Sequence, residues 1–208
     1  MLTLPLREQP TSWPPLGILS VITTLKKAGF ENTHFYNLDL LRPEYENILA
    51  YLEKEEPDIV GISAVVSTSY GYTKKLSKDI KALLPDATIF LGGNLGASAE
   101  VILKKTGVDF ICSGEGDKTS VDFVNCWLTA KSKNSFSDVR GLSFLSEQGK
   151  LEMTPYAENI SAEEVYEIDW SILEDVNQMD FYIQPNTTSN YINQFGHDPK
   201  SHERNRQG

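Results

Sequence analysis

Five times along this chain a short run suited to a strand gives way, after few residues, to a stretch with apolar residues at helical spacing. The first run is Leu2 to Leu6. A proline-punctuated loop and a helix over Leu16 to Ala28 follow, with Ile18, Val21, Ile22 and Leu25 on one side and Gly29 at the C-cap. "THFYNLDL" reads as the second run, ending near Asp39; Pro43 then suits the first turn of a helix with Tyr45, Ile48, Leu49 and Leu52 on one face. Asp58 to Ser63 is the third, near-continuously apolar, and its helix carries Leu76, Ile80, Leu83 and Leu84 before Pro85 ends it. Thr88 to Leu91 is the fourth, leading through Gly92 and Gly93 to a helix with Val101 and Leu103. "VDFICSGEGD" supplies the fifth, and Val121, Val124 and Leu128 mark its helix. Parallel neighbours need crossover connections, so this order predicts a parallel sheet covered by helices on both faces.

With five strands the expected fold is α/β, a flavodoxin-like (Rossmann-like) doubly wound sheet in the order two-one-three-four-five, spanning residues 1–132. Beyond it "RGLSFLSEQGKLEMTP" reads as a hairpin, Leu142 to Leu145 against Leu151 to Thr154, with Gly149 at the left-handed turn position. "ENISAEEVYEIDWSIL" is acidic with scattered large apolar residues, more like a docking arm than a second core. Hairpin and linker together are expected over 133–185, and the polar, aperiodic 186–208 is expected to be disordered.

Composition removes several function classes. The 208 residues carry 29 acidic against 19 basic groups, net charge −10, which repels phosphate backbones, so no nucleic-acid partner is expected. No stretch approaches a membrane span, and the N-terminus lacks a charged region followed by an apolar one. The two cysteines, Cys112 and Cys126, fall in a strand and a helix and are expected to be buried small hydrophobes, in keeping with a cytoplasmic protein.

In an open parallel sheet ligands bind beyond the carboxyl ends of the strands, where the strand order reverses. The unusual residues all fall on that rim: the Pro14–Gly17 turn, Asp39, Ser63 to Ser69, Gly92–Gly93, and Gly114–Glu115–Gly116. Neither GxxxxGK[ST] nor GxGxxG occurs, so a phosphate cradle is disfavoured, and Ser63 stands where a receiver domain needs an aspartate. Asp39, Glu115 and Asp117 are rim carboxylates, for which capping and turn formation are equally good accounts.

What remains is Ser63-Ala64-Val65, 26 intervening residues, then Gly92-Gly93. This resembles the cobalamin-binding domains, whose pattern is SxL, 26 to 28 residues, then GG, with Val65 here in place of leucine. The resemblance implies that the dimethylbenzimidazole tail of the cofactor enters beside these strands, where side chains at the two glycines would block it. The family's DxHxxG is missing and no histidine lies near the first turn; His34, His197 and His202 read as ordinary solvated or core residues. The turn "WPPLG" instead resembles cobalamin-binding domains fused to radical S-adenosylmethionine (SAM) enzymes, as do "PDIVGIS", "FLGGNLGA", "VDFICSGEGD", the hairpin, and "VYEIDWSIL", with Ile168 where proline is usual.

That resemblance covers Leu2 to Leu173 and implies a corrinoid-binding module of a cobalamin-dependent radical SAM enzyme, a methyltransferase, acting with a catalytic barrel in cis or in trans. The implied cofactor contacts are Leu16, Gly17, Asp39, Ser63, Val65, Ser67, Thr68, Gly92, Gly93, Asn94, Gly114, Glu115 and Gly116, with no axial histidine from the protein. SAM and a 4Fe-4S cluster would belong to that barrel. Its CxxxCxxC is not in this sequence, and no other nucleophile–base arrangement is evident, so no catalytic residue is expected here. Two other readings stay open: a scaffold domain in which the glycines only allow close packing, and an enzyme using a nucleotide at the same rim.

Overall fold

A computed structural model describes residues 1–5, 7–159, 161, 163 and 167–183. Five parallel strands, β1 (Leu2–Thr3), β2 (Tyr36–Asn37), β3 (Ile59–Ser63), β4 (Thr88–Gly92) and β5 (Phe110–Cys112), lie in the expected order β2-β1-β3-β4-β5. The hairpin continues the same sheet. Its strands β6 (Leu142–Leu145) and β7 (Leu151–Met153) add antiparallel to β5, making seven, and Gly149 turns at φ +75°.

The helices are α1 (Leu16–Lys27), α2 (Leu38–Leu41), α3 (Tyr45–Glu55), α4 (Tyr70–Leu83), α5 (Ala99–Lys105) and α6 (Gly116–Trp127). One face of the sheet, with Leu2, Val60, Ile62, Ile89, Leu91 and Ile111, packs on the inner faces of α3, α4 and α5 through Ile48, Leu52, Leu76, Ile80 and Ile102. The other face carries an aromatic cluster in which Phe123 of α6 stacks on Phe90 with centroids 4.4 Å apart. Gly29 ends α1 at φ +93°, where its N–H and that of Phe30 satisfy the carbonyls of Lys26 and Leu25.

Several local expectations are corrected. The first strand is shorter than Leu2 to Leu6, because Pro5 offers no N–H to a ladder; Leu6 itself lies outside the described residues. The second strand stops at Asn37, whose side chain accepts from Leu40 N and caps α2. Pro43 precedes α3, which starts at Tyr45, instead of opening its first turn. Val101 and Leu128 are 53% and 62% exposed: α5 turns Ala99, Ile102 and Leu103 inward, and α6 uses Phe123. Cys112 is buried, but Cys126 is only half-buried.

Two further helices, α7 (Ser171–Asp175) and α8 (Met179–Ile183), lie back on the domain. Ile172 and Leu173 are buried against Ile18, Leu19, Ile22 and Phe35, and Asp169 N donates to Thr23 Oγ1 at 2.9 Å, so α1 is held between the sheet and this arm. The expectation of a disordered tail falls on 186–208, and His197 and His202 with it, outside the described residues. No helix among the described residues is long and apolar enough to cross a membrane.

Candidate functional site

The register of the sheet places one row of small side chains along the carboxyl rim. Thr3 pairs with Ser63 and Ser63 with Gly92, and Cys112 continues the row because β4 and β5 pair Phe90 with Phe110. Paired residues project to the same face, here the one under α1 and α6. One row lower come Gly61, Phe90 and Phe110, with the Met1 side chain lying against Gly61 and Phe123 against Phe90, which close the space from below. Ser63 and Gly92 are only half-buried although each sits on a central strand.

The two adjacent glycines do different things. A Cβ at Gly92 would meet no atom within 4 Å, so its missing side chain leaves open room. A Cβ at Gly93 would lie 2.5 Å from Ala64 O and 2.8 Å from Ala64 C, and its backbone has φ 92°, ψ 176°, a region that glycine alone uses freely. The expectation that both glycines clear a ligand slot is therefore corrected in its reason: Gly93 serves the close approach of the β3 and β4 loops, and Gly92 provides the space.

Beside this row, where the strand order reverses between β1 and β3, a cleft of about 300 Å³ opens between Leu16, Gly17, Asn37, Asp39, Val65 and Tyr182. Its lip is apolar: Trp13, Leu16 and Val65 are 71%, 51% and 45% exposed. Asp39 is committed to the scaffold, its Oδ2 accepting from Thr11 N at 2.9 Å and its Oδ1 from Arg42 Nη2 at 2.7 Å. Asp117 likewise accepts from Ser20 Oγ and ties α6 to α1. Ser67, Thr68 and Asn94 stand exposed on the turns after β3 and β4, and Gly114, at φ +97°, leads through Glu115 to Gly116 at the start of α6. A larger cavity of about 560 Å³ lies at the opposite edge, by Met1, Tyr36, Tyr51 and Trp127. The rim is the candidate site, because the loops and helix N-termini gather there.

Thr3, Cys112, Trp13, Asn37 and Tyr182 are not among the contacts expected from the sequence. Thr3 and Cys112 enter only through register, and Tyr182 only through the folding back of α8. Among the described residues no group of three His, Cys, Asp or Glu is placed to hold a metal ion, and His34 lies at the far edge, 3.6 Å from Glu55. Burial pushes the Cys112 thiol up to about 11, so at neutral pH it is a neutral wall of the row. A folded-state pKa above the unfolded value near 9 contributes stability that is whole below pH 9 and is lost as pH rises through 11. Cys112→Ala is expected to flatten the fall in urea-derived stability over that window by about 2 kcal/mol, and an unchanged slope would place the titration elsewhere.

The family model described as "B12 binding domain" matches residues 4–124. The chain belongs to that family. The match takes in β3, β4 and the Gly92–Gly93 corner. Among curated proteins the chain is similar to the anaerobic magnesium-protoporphyrin IX monomethyl ester cyclase of Cereibacter sphaeroides, 27% identical over 164 residues, covering 78% of this chain and 26% of that protein. It is also similar to the enzyme of the same name from Rubrivivax gelatinosus, 25% identical, covering 78% of this chain and 30% of that one. It thus spans between a quarter and a third of the length of these relatives. Among solved structures it shares its fold with the cobalamin-dependent S-adenosylmethionine radical enzyme OxsB with aqua-cobalamin bound, at TM-score 0.70 and 21% identity over 85% of this chain and 24% of that one.

Proposed function

We propose that this chain binds cobalamin at its carboxyl rim, as the cobalt-holding module of a cobalamin-dependent radical SAM enzyme. The observation that carries the proposal is the open space at Gly92 within the row Thr3, Ser63, Gly92 and Cys112. Glycine within a strand is disfavoured, so one at which an added side chain would meet nothing marks a position kept clear. In this reading a flat heteroaromatic tail lies over the row, in the cleft lined by Thr3 and Ser63 and the open space at Gly92. Ser63 offers the tail a hydroxyl. The lip of Trp13, Leu16 and Val65 suits the apolar face of a macrocycle, and Gly17, Ser67, Thr68, Asn94, Gly114, Glu115 and Gly116 offer backbone and polar groups to its amide side chains.

The bound corrinoid supplies a cobalt centre able to carry a methyl group; this chain's residues hold and shield it. The barrel that acts on it, in cis or in trans, would bring SAM and the 4Fe-4S cluster. Methyl transfer is the chemistry we propose for the whole protein, on the sequence resemblance. The curated relatives are named for a cyclisation, and the role proposed for this domain is the same in either reaction.

The scaffold reading accounts for Gly93, which packs against Ala64, and leaves the space at Gly92 unexplained. Hydroxocobalamin decides between them. Mixed with the chain and desalted, it is expected to stay with the protein in about equimolar amount, read from its visible absorption. A colourless protein would end the proposal, and a rise in melting temperature with a nucleotide instead would favour the third reading.

A further inference from the structure

Ser120, in the second turn of α6, is 3% exposed, and its Oγ has no hydrogen-bond partner among the described residues. A buried serine in a helix ordinarily bonds back to a carbonyl of the preceding turn. Its neighbours do so: Thr119 Oγ1 donates to Glu115 O, and Thr23 Oγ1 on α1 donates to Leu19 O. Ser120 does not. Buried polar groups are nearly always paired, because an unpaired one has lost its water and gained nothing. Thr73 Oγ1 is also unpaired, but it belongs to α4, on the opposite face of the sheet.

The orphaned hydroxyl lies beside the row of small side chains. A methyl placed on Gly116 would stand 3.8 Å from Ser120 Oγ, 3.8 Å from Cys112 Sγ and 2.9 Å from Val21 Cγ2. Ser120 Oγ thus sits in the corner between α6, α1 and the end of β5, next to the last member of that row. We propose that Ser120 Oγ is a hydrogen-bond donor to a ring nitrogen of the cofactor's heteroaromatic tail, and so makes the domain prefer corrinoids that carry a tail over those that lack one. The inference rests on the cobalamin reading above, and it adds a partner from the helix layer where the sequence motif pointed only to strands.

The experiment compares hydroxocobalamin with cobinamide, the corrinoid without its nucleotide tail, by spectroscopic titration of the wild-type chain and Ser120→Ala. The wild type is expected to prefer cobalamin. Ser120→Ala is expected to weaken cobalamin binding about 5- to 30-fold while leaving cobinamide within about twofold, as for one lost hydrogen bond. The unliganded variant is expected to melt no lower than wild type, since it loses an unpaired group and gains a better helix former. A lower melting temperature would mean that the hydroxyl has a partner inside the protein and would overturn the inference. Equal weakening of both ligands, or of neither, would overturn it too, as would a wild type with no preference. A wild type that binds neither corrinoid would instead remove the cobalamin reading itself.

Discussion

Gly92→Val is expected to leave the fold standing and to abolish cobalamin retention, whereas the same change one residue later is expected to remove much of the domain's stability. Gly92 closes β4 opposite Ser63, its φ is not in the left-handed region, and nothing lies within 4 Å of the added Cβ. Valine is a good strand residue, so the unliganded melting temperature should hold or rise slightly. Its two methyls would occupy the space proposed for the tail, and we expect a loss of at least about 100-fold in affinity, the scale of several kcal/mol for a ligand ring excluded by overpacking. At Gly93 the new Cβ meets backbone, Ala64 O at 2.5 Å, and that backbone is fixed: Ala64 N donates to Gly92 O at 2.9 Å and Leu95 N to Ala64 O at 3.1 Å. With φ 92° and ψ 176° added, Gly93→Val should cost about 3–5 kcal/mol in urea denaturation, a large part of a typical domain's stability. Wild-type affinity in Gly92→Val would sink the slot. Wild-type stability in Gly93→Val would show that the corner yields.

The same pair of residues shows how far the sequence could be read. Two adjacent glycines after an apolar run announce a special corner, but which of them carries the positive φ depends on how the following turn leaves the strand. The strand order was legible because crossovers leave few alternatives, and with it came the rim and most of the loops on it. Thr3 and Cys112 were not, because a side chain joins a row only once the register of three neighbouring pairs is fixed. Val101 was misplaced for a related reason: α5 is a short helix, and one residue of phase decides which apolar side chain turns inward; Leu128 lies just past the last residue of α6. Asp39 looked like a ligand group because it ends an apolar run at the rim. Its engagement by Thr11 and Arg42 depends on the path of a loop that no periodicity encodes.

Asn37 is where the arm from α7 and α8 is fastened to the rim, and Asn37→Leu is expected to release it. The residue is 1% exposed, and its amide is fully used. Oδ1 accepts from Thr3 Oγ1 at 2.7 Å and Leu40 N at 3.3 Å, while Nδ2 donates to Gln178 Oε1 and Tyr182 Oη, each at 2.9 Å. Leucine matches the volume but leaves the buried Thr3 hydroxyl, which still accepts from Asp39 N at 3.4 Å, without its acceptor, and takes from the Gln178 amide oxygen the donor Asn37 gave it, which costs more than the bonds were worth in water. We expect a loss of about 3 kcal/mol, or about 6–12 °C in melting temperature for a chain of this size. Tyr182→Phe, which removes one of these bonds and leaves one hydrogen of the Asn37 amide unpaired while its other three bonds stay, should cost about 1–2 kcal/mol. Amide hydrogen exchange localises the effect: protection in Ser171–Ile183 should collapse in Asn37→Leu while that of β3 and β4 falls only with global stability. If protection in α7 and α8 survives, the arm is held by Ile172 and Leu173 in the α1 groove, and the polar fastening is secondary. If it collapses, cobalamin affinity should fall with it, because Asn37 and Tyr182 both wall the cleft at the strand reversal. The segment leading out of the domain would then be coupled to its site through one amide.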